Sequence, residues 1–313
     1  MAAATPLRAG QVNSSGATDA LFLKVFGGEI LTAFEQSQVV VDKHTVRQIS
    51  HGKSAQFPAT WKVSAAYHTP GAEILGQTSN LNERVIAIDD QLIASVAIPS
   101  IDEAMNHYDY RSIYSRECGI ELANTWDRNV LQVGVNAARA STTVTGGDGG
   151  TVLTSSGTLY RTSSSDLAAG IYSGIQAMDE KNNPDADGRN VFMRPAQFYL
   201  LAQDKTLYNT DYAAGNGNFK DGTVFQIGGA KLVKTNNFPI TNITAGPATY
   251  QGNFALTVGL LMSTRAVGTV KLLDLAQEMS WDMRRQVTLL LAKYAIGHGI
   301  LRPEAAVELK TTS

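Results

Sequence analysis

The stretch DYRSIYSRECGIELANTWDRNVLQVGVNAA, residues 109–138, decides the fold of this chain. Its apolar positions recur at steps of four or three residues, the spacing that keeps side chains on one face of a helix. At 1.5 Å per residue the predicted helix is about 45 Å long. The predicted buried face contains Tyr110, Tyr114, Cys118, Leu122, Trp126, Val130, Val133 and Ala137, and its core is Tyr114, Leu122, Trp126 and Val130.

The sequence just before this helix alternates between apolar and polar residues, as a half-buried strand does. The alternation runs through residues 86–98 and stops at Pro99. Ser100 and Glu103 then have the spacing of a capping box, in which each side chain binds the other's free backbone amide. A further helix should therefore begin at Ser100.

The sequence after the long helix predicts a linker followed by a compact region. Residues 141–165 are mostly Ser, Thr and Gly, which predicts a flexible connection or an exposed hairpin. Apolar residues at helical spacing then predict a helix over residues 167–178, capped by Ser165 or Asp166. Pro195 can open the next helix, because its missing amide hydrogen costs nothing there.

The rest of the compact region predicts strands, so its fold class is α+β. Two short apolar segments flank Gly228-Gly229, which is typical of a β-hairpin whose glycines supply positive φ angles. Residues 265–309 show strand-like alternation, and Gly297 and Gly299 predict a turn within them.

The first 84 residues indicate an extended arm and a hairpin. Residues 1–49 are broken by glycines but carry phenylalanines without obvious partners, and we expect these to contact other subunits. Residues 50–84 have the Gly and Pro punctuation of an extended hairpin. The arm carries Phe22, Phe26 and Phe34, and the hairpin carries Lys53, Phe57 and Trp61.

The composition excludes several classes of protein. Of the 313 residues 43% are apolar, which is enough to bury a core. Only 17% are charged, against roughly 25% in typical soluble domains, as expected where partner subunits cover the surface. The 26 basic and 28 acidic residues give a net charge of −2, which argues against tight binding of nucleic acid. No apolar stretch is long enough for a membrane span or a secretory signal, which predicts a soluble, non-secreted chain.

The sequence contains no pattern that predicts catalysis, a metal site or a cofactor. Gly52-Lys53-Ser54 matches the end of a phosphate-binding loop, but Arg47 stands where that motif needs a glycine. Cys118 is the only cysteine and lies in the apolar stripe, where a cysteine is usually an inert small hydrophobe. The five histidines lack the spacing of zinc ligands. We therefore predict a structural protein and not an enzyme.

Several long strings resemble one family, the major capsid proteins of T7-like podoviruses. They are ALFLKVFGGE at 20–29, GKSAQFP at 52–58, EAMNHYDYRS at 103–112, RAVGTVKL at 265–272 and AKYAIGHGILRPEAA at 292–306. Because they are spread from the arm to the last strands, the resemblance covers most of the chain. The middle, residues 141–262, departs most from that family.

The resemblance implies the HK97-type phage capsid fold, an α+β fold with an N-terminal arm, an E-loop hairpin, a P-domain with a long spine helix, and an A-domain. The boundaries it implies are arm 1–49, E-loop 50–84, P-domain strands and spine helix 85–140, flexible connection 141–165, A-domain 166–264, and P-domain return strands 265–313.

The resemblance also implies a function and partners. Members assemble as hexamers and pentamers into an icosahedral head shell, usually of triangulation number seven, around the double-stranded DNA genome of a short-tailed bacteriophage. The implied partners are copies of the same chain, a scaffolding protein during assembly, a portal protein at one vertex, and DNA packaged without sequence specificity. The candidate inter-subunit contacts are Phe22, Phe26 and Phe34 in the arm and Lys53, Phe57 and Trp61 in the E-loop. A decoration protein or head fibre is a further candidate, no membrane is involved, and the shell would assemble in the host bacterial cytoplasm and end in the virion.

Two alternatives stay open at this point. An encapsulin-like nanocompartment shell shares the fold but encloses enzymes. A soluble hydrolase would use His107 or His298, although neither has a recognisable nucleophile or orienting acid nearby.

Overall fold

The computed structural model describes residues 39–60, 63–65, 67–71, 73–74, 76, 80–105, 110–183, 188–204, 217–218, 223–224 and 226–313. The helices are α1 (Ser100–Met105), α2 (Tyr110–Arg139), α3 (Leu159–Thr162), α4 (Ser164–Glu180) and α5 (Pro195–Ala202). The strands are β1 (Thr45–Gln48), β2 (Ser54–Thr60), β3 (Leu81–Ala87), β4 (Leu92–Pro99), β5 (Thr151–Ser155), β6 (Arg189–Met193), β7 (Gly217–Asn218), β8 (Thr223–Val224), β9 (Gln226–Ile227), β10 (Ala230–Lys234), β11 (Asn242–Ile243), β12 (Gly252–Asn253), β13 (Thr257–Ser263), β14 (Val267–Asp282), β15 (Val287–Ile300) and β16 (Ala306–Thr311). Short 3-10 helices cover Val41–Lys43, Ala248–Tyr250 and Pro303–Ala305.

The chain divides into two compact units. Among described residues, the first unit contains 90–126 and 273–296, and the second contains 39–89, 127–272 and 297–313. Helix α2 and strands β14 and β15 contribute residues to both units.

Helix α2 lies within one residue of the predicted helix at each end. From Cys118 to Trp126 its buried residues recur every four positions, as an amphipathic helix requires. From Val130 onwards almost every residue is buried, which is the pattern of a helix enclosed by other elements. The apolar stripe therefore marks a single face only in the first part of the helix.

In the first unit, β4 pairs antiparallel with β15, from Pro99 opposite Val287 to Leu92 opposite Tyr294. Helix α1 begins at the predicted residue, Ser100, directly after the strand. The Ser100 amide donates a hydrogen bond to the Gln286 carbonyl oxygen at 3.1 Å. The end of β4 is thereby held against the turn that precedes β15.

In the second unit, β2 and β3 form the antiparallel hairpin predicted from the Gly and Pro punctuation, with Ser54 opposite Ala87 and Thr60 opposite Leu81. Strand β1 pairs parallel with the start of β14, so these four residues belong to a sheet rather than to an extended arm. This sheet has four strands, in the order β1-β14-β15-β4.

A six-stranded mixed sheet, of order β5-β16-β13-β6-β10-β9, forms the main core of the second unit. Every residue of β6 and β13 is buried, as in strands covered on both faces. The apolar faces of α4 and α5 pack on this sheet through Leu167, Ile171, Ile175, Met178, Phe198 and Leu201. The cap of α4 is Ser163, whose hydroxyl accepts a hydrogen bond from the Asp166 amide, and not Ser165 or Asp166 as the sequence suggested.

Strand β16 corrects the predicted grouping of the last residues. The sequence placed all of 265–313 together as return strands, but β16 pairs antiparallel with β13 and parallel with β5 in the six-stranded sheet. Of the strands within residues 265–313, only β14 and β15 belong to the four-stranded sheet. The hydrophobic alternation of β16 shows that it is a strand but does not select its partner.

The predicted flexible connection at 141–165 is wrong. It contains β5, α3 and the start of α4. Gly150 lets the backbone of this segment pass close to the end of α2, because a Cβ atom at this position would overlap the carbonyl oxygens of Ala137 and Ala138. The Gly150 amide donates to the Ala140 carbonyl oxygen at 2.9 Å. Glycine-rich composition alone does not distinguish this packing from flexibility.

The predicted turn at Gly297 and Gly299 is also wrong, because both lie inside β15. A Cβ atom at Gly297 would overlap the Ala87 carbonyl oxygen and lie 2.9 Å from the Ala87 carbonyl carbon. A Cβ atom at Gly299 would lie 2.7 Å from Ile86. Glycines inside a strand often mark such a close backbone approach.

Gly297→Ala should therefore lower the free energy of unfolding by about 1–3 kcal/mol or more, because backbone atoms must move to admit the methyl group. Gly119→Ala is the matched control, since among the described residues no atom outside the local helix backbone lies within 4 Å of a Cβ atom there. In helix α2 this control should be neutral or stabilising by up to about 1 kcal/mol. Urea denaturation of both variants measures the difference, and equal midpoints would contradict the close approach.

Candidate functional site

The two faces of the β2–β3 hairpin differ in character. Its inner face carries the buried Ala55 and Ile86 and the half-buried Phe57 and Arg84. Its outer face is exposed along both strands and includes Leu81 and Val85. Because side chains alternate between the faces of a strand, the inner set packs on the chain and the outer set meets solvent.

A small apolar cluster holds the hairpin in the second unit. Ala55, Ile86 and Val270 are its buried members, and Ile49, Phe57, Ile88 and Leu301 pack against them. The Arg47 guanidinium lies 5.6 Å from the centre of the Phe57 ring and donates a hydrogen bond to the Gln56 carbonyl oxygen at 3.0 Å. The hairpin is thus fixed at its base by packing as well as by strand pairing.

The described residues that connect β2 to β3 expose large apolar side chains. Tyr67 is fully exposed, Ile74 is 79% exposed and Val63 is 69% exposed. Isolated exposed hydrophobes are common, but several together on one connection are typical of a surface that another molecule covers.

The six predicted inter-subunit residues have different outcomes in the structure. Phe22, Phe26, Phe34 and Trp61 lie outside the described residues. Lys53 is exposed next to β2, and its carbonyl oxygen accepts a hydrogen bond from the Ile88 amide at 2.8 Å. Phe57 differs from the prediction, because its ring packs against its own chain and beneath Arg47.

The predicted core of the long helix is mostly buried. Leu122 and Val130 are almost completely buried, Trp126 is 7% exposed and Tyr114 is half-buried. In the first unit the rings of Trp126 and Tyr294 meet edge to face with their centres 6.1 Å apart. The Tyr294 hydroxyl donates to the Leu122 carbonyl oxygen at 3.1 Å, and burial raises the pKa of this phenol.

Trp126→Ala should lower the free energy of unfolding by about 3–5 kcal/mol, because it leaves a large cavity beside Tyr294. Trp281→Ala is the control: this residue is 48% exposed on β14, and the change should cost less than about 1 kcal/mol. Chemical denaturation of unassembled protein measures both variants. A smaller loss for Trp126→Ala than for Trp281→Ala would show that the helix core is assigned incorrectly.

A buried histidine pair in the second unit was not predicted from sequence. The His44 and His298 rings lie 6.5 Å apart, and His298 also meets the Tyr250 ring at 6.0 Å. His44 Nδ1 bonds the Val40 carbonyl oxygen at 2.8 Å, and His298 Nδ1 bonds Thr269 Oγ1 at 2.7 Å. The Tyr250 hydroxyl accepts from the His298 amide and donates to Asp89.

Burial disfavours the charged form of both rings. It lowers the pKa of His44 to about 4, with nearby Lys271 adding to the decrease and the Val40 hydrogen bond and Asp42 opposing it. It lowers the pKa of His298 to about 3, and His44 adds to that decrease. Both rings are therefore neutral at pH 7 in the folded protein.

Acid should destabilise the protein through these two histidines. Unfolded histidines titrate near pH 6.5, so between that pH and the lowered folded values the unfolded state binds more protons. The contribution of the two neutral rings to the free energy of unfolding is thus fully present well above about pH 6.5. It falls as the pH decreases below that value, with a slope approaching about 1.4 kcal/mol per pH unit for each histidine. Urea denaturation between pH 7.5 and pH 5 measures this slope.

The matched variants for this prediction are His44→Gln and the double change with His298→Gln. Their stability should vary less between pH 7.5 and pH 5 than that of the unchanged chain. Asp127, whose pKa is raised by burial, acts in the opposite direction, so the comparison between variants isolates the histidines. An unchanged slope in both variants would exclude the histidine pair as the cause.

Two other polar contacts were also missed, because their partners are far apart in sequence. The Val39 amide donates to Asp127 Oδ2 at 3.1 Å and fixes the chain just before β1. Arg139 forms a bidentate ion pair with the buried Glu308, in which Nε donates to Oε2 and Nη2 donates to Oε1, each at 2.6 Å. Thr257 Oγ1 donates to the same carboxylate at 2.6 Å.

The described residues offer little for catalysis. His298 is buried and bound to Thr269, away from any substrate in solvent. Cys118 is buried, and burial raises the pKa of its thiol, which disfavours the nucleophilic thiolate. His107 lies outside the described residues. In the part of the chain that is described, no three His, Cys, Asp or Glu residues are grouped to hold a metal ion, and no helix is long and apolar enough to cross a bilayer.

Comparison with solved structures defines the class of protein. The capsid of cyanophage P-SCSP1u matches with a TM-score of 0.84 and 39% sequence identity, covering all of both chains. The long helix, the hairpin and the mixed sheets described above are therefore those of the HK97-type phage capsid fold, an α+β fold.

Comparison of sequences gives the family. Residues 56–310 match the model of the Gp10A-like family, described as major capsid protein. The major capsid protein of Escherichia phage T7 is 34% identical over 94% of this chain and 93% of its own length. That of Enterobacteria phage T3 is 36% identical over 92% of this chain and 90% of its own length. The chain therefore belongs to the Gp10A-like family of major capsid proteins of short-tailed phages.

These relatives confirm the predicted resemblance, fold class and function. They give no support to the encapsulin-like shell or to the hydrolase. The implied domain boundaries and inter-subunit residues stay predictions, apart from the corrections above.

Proposed function

We propose that this chain assembles as hexamers and pentamers into an icosahedral shell of triangulation number seven around a double-stranded DNA genome. The observation that carries the proposal is the exposed apolar connection between β2 and β3, in a chain that belongs to a capsid family over most of its length. Tyr67 and Ile74 would be covered by neighbouring copies in the shell. The low charge of 17% is in keeping with extensive subunit contacts.

The proposed partners beyond other copies are a scaffolding protein during assembly and a portal protein at one vertex. A decoration protein or head fibre would bind the finished shell. The net charge of −2 favours contact with packaged DNA that is weak and independent of sequence. Assembly would take place in the host bacterial cytoplasm, and the chain would act as a container without enzymatic activity.

Shell formation is the direct test of this function. The chain, expressed with the scaffolding protein of its phage, should form closed particles above a threshold concentration, because weak contacts between many copies add up. Sucrose-gradient sedimentation and negative-stain electron microscopy measure the yield. A chain that stays monomeric at high concentration with its scaffold would refute the proposal.

Tyr67→Ala tests the exposed connection specifically, and Lys53→Ala is its control in the same hairpin. Removing the aromatic ring should reduce particle yield more than removing the exposed lysine, because buried aromatic side chains contribute most of the energy of an interface and rim charges contribute little. Both changes affect exposed residues and should leave the unfolding midpoint unchanged. Equal yields for the two variants would contradict the assigned role of Tyr67.

A further inference from the structure

A cleft beneath the β2–β3 hairpin collects positive charge in the second unit, and we call it the arginine cleft. Its volume is about 140 Å³, and it is partly open to solvent. Three arginines from separate parts of the chain line it: Arg84 from β3, Arg265 from the turn between β13 and β14, and Arg302 from the residues that follow β15. Among the described residues, no acidic side chain lines this cleft.

Hydrogen bonds hold together the segments that carry these arginines. The amides of Leu301 and Arg302 both donate to the Ala266 carbonyl oxygen, at 3.0 Å and 3.3 Å. The Thr143 hydroxyl donates to the Leu301 carbonyl oxygen at 3.3 Å and accepts from Arg84 Nε at 3.4 Å. Because the segments are already joined, a ligand that fits the cleft loses little binding free energy to ordering them.

The positive charge of the cleft is not neutralised by ion pairs within the described part of the chain. Arg84 and Arg302 have no carboxylate within 4.0 Å among the described residues. Glu304 is a charged neighbour of Arg302 but forms no ion pair with it. Arg139, by contrast, is paired with Glu308. The guanidinium groups in the cleft therefore have donors to offer to an anion from solution.

The charge and the shape of the cleft favour a small anion with several negative charges close together. Guanidinium groups bind phosphate oxygens through paired hydrogen bonds. One carboxylate brings a single charge to three arginines, whereas linked phosphates bring several. A DNA backbone spreads its charges along a line and binds best in an open groove, while Phe57, Pro58 and Leu301 give this cleft apolar walls. A free polyphosphate is the better fit.

We propose that the arginine cleft binds a free polyphosphate anion, such as inorganic pyrophosphate or the terminal phosphates of a nucleotide. The anion would bridge Arg84 of the hairpin to Arg302 after β15. Arg265, which makes other contacts of its own, adds positive charge to the site. This binding goes beyond the proposed shell function and does not depend on it, because all the lining residues belong to one copy of the chain.

Titration of the full, unassembled chain with pyrophosphate tests the site. In magnesium-free buffer of constant ionic strength, calorimetry should show saturable binding of one anion per chain. Arg84→Gln and Arg302→Gln should each weaken binding by about tenfold or more, because each removes charge-assisted hydrogen bonds. Arg128→Gln is the matched control, at an exposed arginine on α2 outside the cleft, and should leave the affinity unchanged. Absence of binding, or an equal loss in the control, would refute the proposal.

Hydrogen exchange tests whether the bound anion bridges the hairpin to the rest of the unit. Pyrophosphate should slow amide exchange in β2 and β3, because it ties β3 to the residues after β15. Exchange in α4, which does not line the cleft, should stay the same. Arg302→Gln should abolish the added protection without changing exchange in the absence of the anion, since Arg302 is exposed. Binding without slower exchange in the hairpin would contradict the bridge.

Competition distinguishes the polyphosphate from other partners. A short DNA duplex, added at the same concentration of phosphate groups, should not displace pyrophosphate. Displacement by the duplex would show a site for the nucleic-acid backbone and overturn the proposal, as would tighter binding of a glutamate-rich peptide. Pyrophosphate binding by a chain that forms no shells would uphold the site while the shell function fails. Shells from a chain that binds no pyrophosphate would refute the site alone.

Discussion

The last turns of α2 are enclosed by the chain on nearly every side, and this burial constrains the segments around them. Gly134 leaves the space that the Leu260 side chain occupies, since a Cβ atom there would lie 2.6 Å from it. Gly150 lets the following backbone cross the end of the helix. Enclosed polar groups need partners, and Asn136 donates to the carbonyl oxygens of Thr249 and Gln251 at 3.1 Å. A change in the end of this helix would therefore displace several elements of the second unit together.

Sequence periodicity was a good guide to single elements because the signal is local. The four-residue spacing predicted α2 to within one residue at each end, and Pro195 marked the start of α5. The Gly228-Gly229 hairpin was recognisable because both residues need positive φ angles, which are 56° and 83°. In each case the residues that determine the structure lie within a few positions of one another.

Glycines outside turns were misread, because their role depends on a distant neighbour. Gly150 and Gly297 suggested a linker and a turn, yet each accommodates another backbone segment that the sequence does not specify. The strand partner of β16 was missed for the same reason.

The candidate site was less predictable than the fold. The sequence indicated that the hairpin carries exposed aromatic residues, but not that Phe57 turns inward beneath Arg47. The His44 and His298 pair and the Arg139 and Glu308 ion pair join residues more than 150 positions apart. The family strings gave the function where local chemistry gave none, because an assembly surface has no short motif comparable to a catalytic one.

The position of β16 in the six-stranded sheet affects how the protein can be made. This strand comes from residues 306–311, yet it lies between β13 and β5 and not at an edge. Until it is synthesised, β13 and β5 lack their shared neighbour and present unpaired backbone groups, which favour non-specific association. The buried Glu308 also arrives only then to neutralise Arg139. Completion of this sheet therefore follows synthesis of the last strand, and chains cut short before it cannot form the finished subunit.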